Sequence, residues 1–385
     1  MRTLFSEGIE QQAPRLAKRL LLLNWPFLLL ITTITLVGVA ALYSVAGGAL
    51  DPWASRHVVR YCVGLALVFA IALSDIRWWL RAAYPLYLVA LLLMAAVLIF
   101  GVESGGAKRW LGYGEFTFQP SEMMKIALVL ALARYYQWLP PEHVSRPHVV
   151  LPPLLMIALS VVFALDQPDL GTAAMFGIIG FGLLFLAGVS WLYFGAAFVG
   201  VIVVLPHVWE RLHDYQRERV LTFIDPERDP LGSGYHILQS KIAIGSGGLT
   251  GKGFMQGTQA QLNFLPEKHT DFIFTMFAEE MGFIGSVALL ALYLLALLFI
   301  TYMALRCRST FPRLVAAGMG LCLFTYVFIN VAMVTGLVPV VGVPLPLVSY
   351  GGTSMLTMMV GLGFVLNAHV NRLARIRREE FGPLW

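Results

Sequence analysis

Long apolar runs separated by short polar segments dominate the pattern of the chain. Ten runs have about the length that a helix needs to cross roughly 30 Å of hydrocarbon at about 1.5 Å per residue. They predict an all-α polytopic membrane protein of about ten transmembrane helices, with residues 1–385 forming a single membrane domain. The predicted spans are 22–46, 57–75, 82–102, 119–138, 149–165, 170–188, 190–209, 272–304, 314–335 and 352–371.

The eighth run is longer than one straight crossing requires. Tilt, a kink near Gly282, or an outer turn lying in the headgroup region would accommodate it. The spans 170–188 and 190–209 are short enough to be tilted or re-entrant. The first run follows a polar segment and lacks a clear small-residue cleavage site, so we expect it to remain as a span and not to be removed as a signal peptide.

Lys and Arg residues predict the orientation, because short cytoplasmic loops are enriched in them. They place a cytoplasmic N-terminus at 1–21, a cytoplasmic tail at 372–385 and a large extracytoplasmic loop at 210–271, which is long enough to escape the rule. The cations behind this prediction are Arg15, Lys18, Arg19, Arg77, Arg81, Arg134, Arg146, Arg306, Arg308, Arg313, Arg372, Arg375, Arg377 and Arg378.

Composition agrees with a membrane protein, since 58% of the residues are hydrophobic and 13% are charged. The net charge of +5 is explained by the cytoplasmic loops, so no nucleic-acid partner is expected. The three cysteines show no CxxC spacing and indicate neither a disulfide framework nor a thiolate metal site.

Unusual polar and glycine-rich segments collect in the predicted outer loops, at 103–122, 166–172, 210–271 and 336–354. The inner loops, by contrast, are simple basic connectors. We therefore expect the chemistry on the extracytoplasmic face.

Two outer clusters carry charges that suit recognition. Glu122 and Lys125 share a helix face at i, i+3, as an ion pair that satisfies itself or as groups that face a substrate. Lys108 and Arg109 beside Trp110 could bind a lipid phosphate or simply anchor the chain in the headgroup region.

The segment GSGGLTGKG at 245–253 resembles a nucleotide-binding Walker loop only superficially. Its spacing is one residue too long and Gly253 stands where Ser or Thr is required, which excludes ATP binding. We expect its glycines to form tight turns in a loop over the bundle, with backbone amides open to an anionic ligand.

The segment LPEKHTDFIF places Asp271 at the entry to the eighth span, with Glu279 and Glu280 two turns further in. A carboxylate in this position is costly unless it is paired or faces a wet cavity, so the pattern favours a functional acid. The alternative is that Asp271 caps the helix.

Asn330, the GLVP segment at 336–339, Gly342 with Val343, and LVSYGGTS at 347–354 together resemble the signature of the SEDS family of bacterial cell-wall synthesis (shape, elongation, division and sporulation). The KRWLG, QPSE, QPDLGTA and AEEMGFIG segments are similar to family blocks, so the resemblance covers nearly the whole chain. The segment 251–274 resembles the elongation branch more than the division branch, in which an acid often stands at the position of Asn263.

The resemblance implies a peptidoglycan glycosyltransferase of the bacterial inner membrane that polymerises lipid II into glycan strands during elongation of rod-shaped cells. Asp271 matches the family's essential acid and is expected to be the general base on the acceptor hydroxyl, with undecaprenyl pyrophosphate as the leaving group. The alternatives are a lipid II flippase, the division paralogue with the same chemistry, or a structural scaffold.

The resemblance also implies partners: lipid II, the growing glycan strand, membrane lipid, a class B penicillin-binding protein that cross-links the strands, and other proteins of the elongation complex. No cofactor is certain, although Glu122 could orient Lys125 or bind a divalent cation, Mg or Mn. Ser349 is expected to shape the cavity and not to act as a nucleophile. The residues expected to contact substrate are Lys108, Arg109, Trp110, Glu122, Lys125, Asp169, Arg217, Arg219, Lys268, His269, Ser349, Gly351 and Gly352.

Overall fold

The computed structural model describes residues 16–104, 107–113, 116–211, 217–218, 221–223, 225, 233–261, 265 and 267–376. A helix occupies each of the ten predicted apolar ranges. The helices of the bundle are α1 (Leu16–Leu21), α2 (Trp25–Val45), α3 (Ala54–Ala72), α4 (Ile76–Phe100), α5 (Pro120–Tyr136), α6 (Pro147–Asp166), α7 (Leu170–Leu186), α8 (Trp191–Arg211), α9 (Ser233–Ser246), α10 (Thr258–Gln261), α11 (Ile273–Leu305), α12 (Thr310–Val334) and α13 (Gly352–Val370).

Seven helices of the described chain are long and apolar enough to cross a membrane: α2, α3, α4, α6, α11, α12 and α13. The helix α7 and the stretch Trp191–Gly200 of α8 are shorter apolar helices, and α5 carries Glu122, Lys125 and Arg134. The mostly helical membrane fold is therefore confirmed, whereas the count of ten spans stays a prediction.

Glycine residues let backbone segments of the bundle approach one another closely. A Cβ atom on Gly38 of α2 would lie 2.6 Å from Cα of Val348, and one on Gly363 of α13 would lie 3.2 Å from Cα of Val68 in α3. This use of glycine is typical of membrane helix contacts, because apolar side chains gain little by leaving lipid and close packing supplies the attraction.

The helix α11 is broken at Gly282, which is one of the three possibilities that its length allowed. Gly282 has φ 67° and ψ −166° inside an otherwise continuous helix. The glycine loop, residues 247–253, lies against the break and replaces the hydrogen bonds that the helix loses there. The bonds run from the amide of Lys252 to the carbonyl of Glu279 (3.0 Å), from Gly253 to Glu280 (3.0 Å), from Phe283 to Gly248 (2.9 Å) and from Ile284 to Leu249 (3.1 Å).

A small antiparallel sheet joins α4 to α5, where the sequence pattern indicates only a loop. Its order is β1-β2-β3, with β1 at Val102–Ser104, β2 at Ala107–Tyr113 and β3 at Phe116–Phe118. The outer strands have three residues each, too few for an alternating pattern to stand out in a sequence. The all-α class therefore holds for the bundle and misses this insertion.

Candidate active site

The polar connections meet at one end of the bundle, where α3, α5, α7, α11 and α13 begin. The connections between α2 and α3 and between α12 and α13 both contact the segment before α11, through the stack of Trp53 on His269 and the hydrogen bond from Tyr350 to His269. Arg109 joins the connection between α4 and α5 to the turn between α6 and α7. The basic connectors lie at the opposite end, where Arg134 donates to the carbonyl oxygens of Leu80 (3.0 Å) and Arg81 (2.8 Å). The predicted site residues can therefore meet on one face.

Asp271 lies partly exposed just before α11. Phe272 is the N-cap residue of the helix by its backbone and supplies no side-chain cap hydrogen bond, so Asp271 stands one residue before the cap position. The carbonyl oxygen of Asp271 accepts a hydrogen bond from Nδ2 of buried Asn330 (2.9 Å), which also donates to the carbonyl of Val343 (2.7 Å). Asn330 thus ties the backbone of Asp271 to the connection between α12 and α13.

Gly342 in that connection lies beside the Asp271 carboxylate. Its φ is +74°, and a Cβ atom there would lie 3.3 Å from Oδ2 of Asp271. Both the backbone conformation and the space favour glycine. The carboxylate is consequently held close to a bare backbone.

Ser349 fixes the backbone on the other side of Asp271. Its buried hydroxyl donates to the carbonyl of Thr270 (2.7 Å) and accepts from the amide of Leu345 (2.7 Å). The amide of Tyr350 donates to the carbonyl of His269 (2.9 Å). We call residues 345–350 the latch. Because the Ser349 hydroxyl already donates to one backbone group and accepts from another, it suits positioning of the segment and not nucleophilic attack.

His269 and Lys268 lie within this latched segment. The His269 ring stacks on Trp53 with ring centroids 4.5 Å apart and planes at 11°, and it faces the Tyr350 ring at 5.8 Å. Burial lowers the pKa of His269, and Lys268 lowers it further while Glu267 opposes the shift. Burial also lowers the pKa of Lys268. His269 is therefore mainly uncharged at neutral pH.

Glu122 and Lys125 form a closed buried cluster with Tyr326 of α12. Lys125 Nζ donates to Glu122 Oε1 at 2.7 Å and to the Tyr326 hydroxyl, and that hydroxyl donates to Glu122 Oε2 at 2.5 Å. All three residues are at most 5% exposed. The arrangement orients Lys125, and two of its three N–H donors are engaged.

The same contacts do not fit a divalent cation at Glu122. Both carboxylate oxygens accept hydrogen bonds, and the Lys125 ammonium 2.7 Å from Oε1 would repel a cation. In the part of the chain that the structure describes, no group of three His, Cys, Asp or Glu side chains could hold a metal ion.

Arg109 and Asp169 connect the sheet to the turn between α6 and α7. Arg109 donates to the carbonyl of Pro168 (2.5 Å), and its Nη1 atom lies 3.8 Å from Oδ2 of Asp169. Asp169 is the N-cap of α7 and accepts from the amide of Thr172 (3.1 Å). Lys108, by contrast, is exposed on β2, and Trp110 is half-buried.

Arg217 is the predicted arginine of the long loop that the structure describes. Arg217 donates to the carbonyls of Trp209 (3.0 Å) and Glu210 (2.5 Å) near the end of α8. Arg219 and Asn263 lie outside the described residues.

Glu279 and Glu280 hold the glycine loop and its neighbours in place. Glu279, fully buried, accepts from Lys252 Nζ (2.6 Å) and from the amide and hydroxyl of Thr258 (3.0 and 2.9 Å). Glu280 accepts from the hydroxyl of Ser44 at 2.5 Å. The amides of Lys252 and Gly253 bond to carbonyls of α11, so the expectation that the loop keeps its amides open to an anion is wrong for these two.

Comparison with known proteins agrees with this geometry. Residues 18–373 match the model of the FtsW, RodA and SpoVE family, described as cell cycle protein. The chain belongs to this family, the SEDS family. Peptidoglycan glycosyltransferase MrdB of Escherichia coli K12 is 45% identical over 349 residues, covering 90% of this chain and 94% of that protein.

Two solved structures share the fold. A chain of a peptidoglycan synthase complex that coordinates polymerization and crosslinking has a TM-score of 0.78 and 36% identity, covering 91% of this chain and 98% of that chain. The rod shape determining protein RodA of Thermus thermophilus has a TM-score of 0.70 and 32% identity, covering 92% and 98% respectively.

The SEDS signature segments meet in space. On α12, Asn330 stands one turn after Tyr326, so one helix face carries both the Asp271 contact and the Glu122 cluster. A cavity of about 10 Å³, roughly one water molecule in size, lies between Tyr326, the latch and the start of α13. Gly351 and Gly352 lie at that start, each partly exposed.

The sequence reasoning missed four residues of this SEDS site: Trp53, His57, Arg60 and Tyr326. Three of them lie in or beside the second predicted span, where Arg60 is a cation inside an apolar run. An intramembrane cation is a signal for a functional position, and this one was assigned to no role. Tyr326 carried no signal, because an aromatic residue on an apolar helix is ordinary.

Proposed function

We propose that this protein is a peptidoglycan glycosyltransferase that polymerises lipid II into glycan strands during cell elongation, with Asp271 as its general base. The observation that carries the proposal is the partly exposed Asp271, whose segment is fixed on one side by Asn330 and on the other by Ser349. Names of relatives support it, since MrdB and a peptidoglycan synthase chain cover nearly the whole sequence.

The reaction needs a base on one side and a stabilised leaving group on the other. Asp271 takes the proton of the acceptor hydroxyl while that oxygen forms a bond to the anomeric carbon. The bond from this carbon to the pyrophosphate oxygen breaks, and its electron pair leaves with undecaprenyl pyrophosphate, so the configuration inverts. The two backbone anchors hold the carboxylate in place and lower the entropy cost of this geometry.

Positive charge near the pyrophosphate stabilises the departing anion. Lys108 and Lys125 are the sequence-predicted cations best suited to this role, since Lys108 is exposed and Lys125 retains one N–H donor beyond its two contacts. Arg109 and Arg217 already donate to backbone carbonyls, so we assign them mainly to holding the sheet and the end of α8.

We place the protein in the bacterial inner membrane with ten spans, both termini in the cytoplasm and the site on the extracytoplasmic side. The support is charge asymmetry, because the basic connectors lie at the end opposite to Asp271. Lipid II carries its sugars on that side when it is polymerised.

A class B penicillin-binding protein is the partner that this function requires, since new strands must be cross-linked. The relative in a complex that coordinates polymerization and crosslinking supports the assignment. The growing strand, membrane lipid and other elongation proteins complete the proposed surroundings.

The experiment is polymerisation by the purified full-length chain, with its penicillin-binding partner, of lipid II in detergent. We expect glycan strands on a gel. A lipid II flippase is the second candidate, tested with the same protein in liposomes that carry labelled lipid II. If lipid II crosses the liposome membrane in a protein-dependent way and no strands form, the flippase replaces the enzyme. If the protein shows neither activity, the scaffold is the remaining interpretation.

A further inference from the structure

Arg60 of α3 lies against the latch with part of its guanidinium group unused. Its Cζ lies 4.3 Å from the centroid of the Tyr350 ring, and Nη2 donates to the Tyr350 hydroxyl at 3.2 Å. Nη1 is buried and has no hydrogen-bond partner. A guanidinium nitrogen without a partner carries an uncompensated desolvation cost, so Arg60 has charge and donor capacity that its described neighbours do not use.

The guanidinium also lies against the beginning of α13. A Cβ atom on Gly352 would lie 3.7 Å from both Cζ and Nη2 of Arg60. Gly351, the N-cap of α13, has no side chain to accept from the first amides. Within the described part of the chain, Arg60 forms no ion pair. A cation beside the positive end of a helix is unfavourable until an anion lies between them.

The position is accessible and close to the proposed base. Residues 350–354 and Arg60 are each partly exposed. The ring of Tyr350 that carries Arg60 also faces His269, two residues before Asp271, at 5.8 Å. His57 lies one turn before Arg60 and is fully buried. Its Nε2 atom lies 3.0 Å from the carbonyl oxygen of Leu347, so His57 also contacts the latch.

The geometry points to Arg60, together with the first-turn amides of α13, as the binding site for the diphosphate of the lipid-linked substrate. This inference rests on the proposed function and names a subsite of it. Guanidinium N–H groups match phosphate oxygens in a forked geometry, and helix amides complete the shell. Arg60 adds to the positive charge that Lys125 supplies to the leaving group, whereas Arg109 already donates to the carbonyl of Pro168.

The first test is the kinetics of the full chain with its partner on lipid II. Arg60→Gln removes the charge and the fork, and we expect KM for lipid II to rise about tenfold or more, with Arg60→Lys intermediate. The matched control is Arg306→Gln, since Arg306 lies over the ring of Tyr302 at 4.9 Å at the other end of the bundle. An unchanged KM in folded Arg60→Gln protein would overturn the inference.

The second test does not depend on turnover. Inorganic pyrophosphate should raise the unfolding temperature of the purified chain and of Arg306→Gln, but not of Arg60→Gln. Equal effects on all three proteins, or none, would overturn the subsite. If phosphatidylglycerol vesicles and not pyrophosphate show the Arg60 dependence, the site binds a lipid headgroup and the inference is wrong.

The two tests also separate this inference from the proposed function. Arg60-dependent pyrophosphate binding in a wild-type chain that makes no strands would retain the anion site and contradict the enzyme. Strand synthesis with the same KM in wild-type and Arg60→Gln protein would retain the enzyme and contradict the anion site.

Discussion

Burial determines what Glu122 and Lys125 can do. Their i, i+3 spacing predicts an ion pair, but the third member, Tyr326, is 204 residues from Glu122 along the chain and no local spacing reveals it. Because the cluster is buried, its members depend on one another far more than an exposed pair would. The residue scale therefore shows where sequence spacing is informative and where only the fold can supply a partner.

Removal of one charge from this cluster should cost more than removal of both. Glu122→Gln leaves the Lys125 ammonium buried without its counter-charge, and we expect the unfolding free energy to fall by ~3–5 kcal/mol. The double variant Glu122→Gln with Lys125→Met should lose less. Denaturant unfolding in detergent measures both, and a double variant that is less stable than the single one would contradict the account.

His269 should give the fold an acid-sensitive component. Burial lowers its pKa in the folded chain, so the unfolded chain binds the proton more tightly. The contribution is present above the ordinary pKa of about 6.5 and is lost as the pH falls through the lowered value.

The matched variant is His269→Phe, which keeps a ring against Trp53 and cannot titrate. Unfolding temperatures measured from pH 7.5 to pH 5 should fall more steeply for the wild type than for this variant. Parallel curves would show that His269 is not the source of the pH dependence.

The broken helix α11 is the element whose cause is clearest. The length of its apolar run allowed a kink near Gly282 as one of three explanations, and nothing in the sequence predicted that the glycine loop would supply the missing backbone partners. These hydrogen bonds join residues more than 25 positions apart, as from Lys252 to Glu279. The close contact with the helix explains why the loop is rich in glycine although it binds no nucleotide. The sheet at 102–118 is the opposite case, since its strands are too short to be predicted.

Gly251→Ala should separate the loop from the helix. Its Cβ atom would lie 2.0 Å from the carbonyl oxygen of Glu280, and its φ is +82°. We expect a loss of ~1–3 kcal/mol in unfolding free energy, as for overpacked sites, and lower polymerisation activity. Gly245→Ala in α9 is the control, because a Cβ there meets nothing within 4 Å. Equal stability of the two variants would contradict the docking.

At the scale of the whole molecule, composition and run lengths predicted the membrane fold, and the signature at 330–354 predicted the family. The membrane fold was predictable because few backbone structures satisfy their hydrogen bonds in hydrocarbon. The family was predictable because the signature residues lie in tightly packed turns. The assembly of the site from segments such as Trp53, Arg60 and Tyr326 needed the three-dimensional packing. Those side chains lie on apolar helices, and a period of 3.6 cannot tell which neighbour each will meet.

The proposed orientation can be checked with single cysteines. In a chain whose three native cysteines are replaced by alanine, Leu249→Cys and Leu373→Cys provide exposed positions at opposite ends, 70% and 61% exposed. A membrane-impermeant maleimide added to spheroplasts should label position 249, and position 373 only after permeabilisation. The reverse pattern would place the site in the cytoplasm.

The most direct measurement is the rate of lipid II polymerisation by Asp271→Asn protein in complex with its partner. Asparagine keeps the size of the side chain and leaves the backbone contacts of Asn330 and Ser349 available, so the variant should still fold. The rate should fall by about 10²–10⁴-fold, the usual contribution of a general base. A folded Asp271→Asn protein that makes glycan strands at the wild-type rate would contradict the central claim.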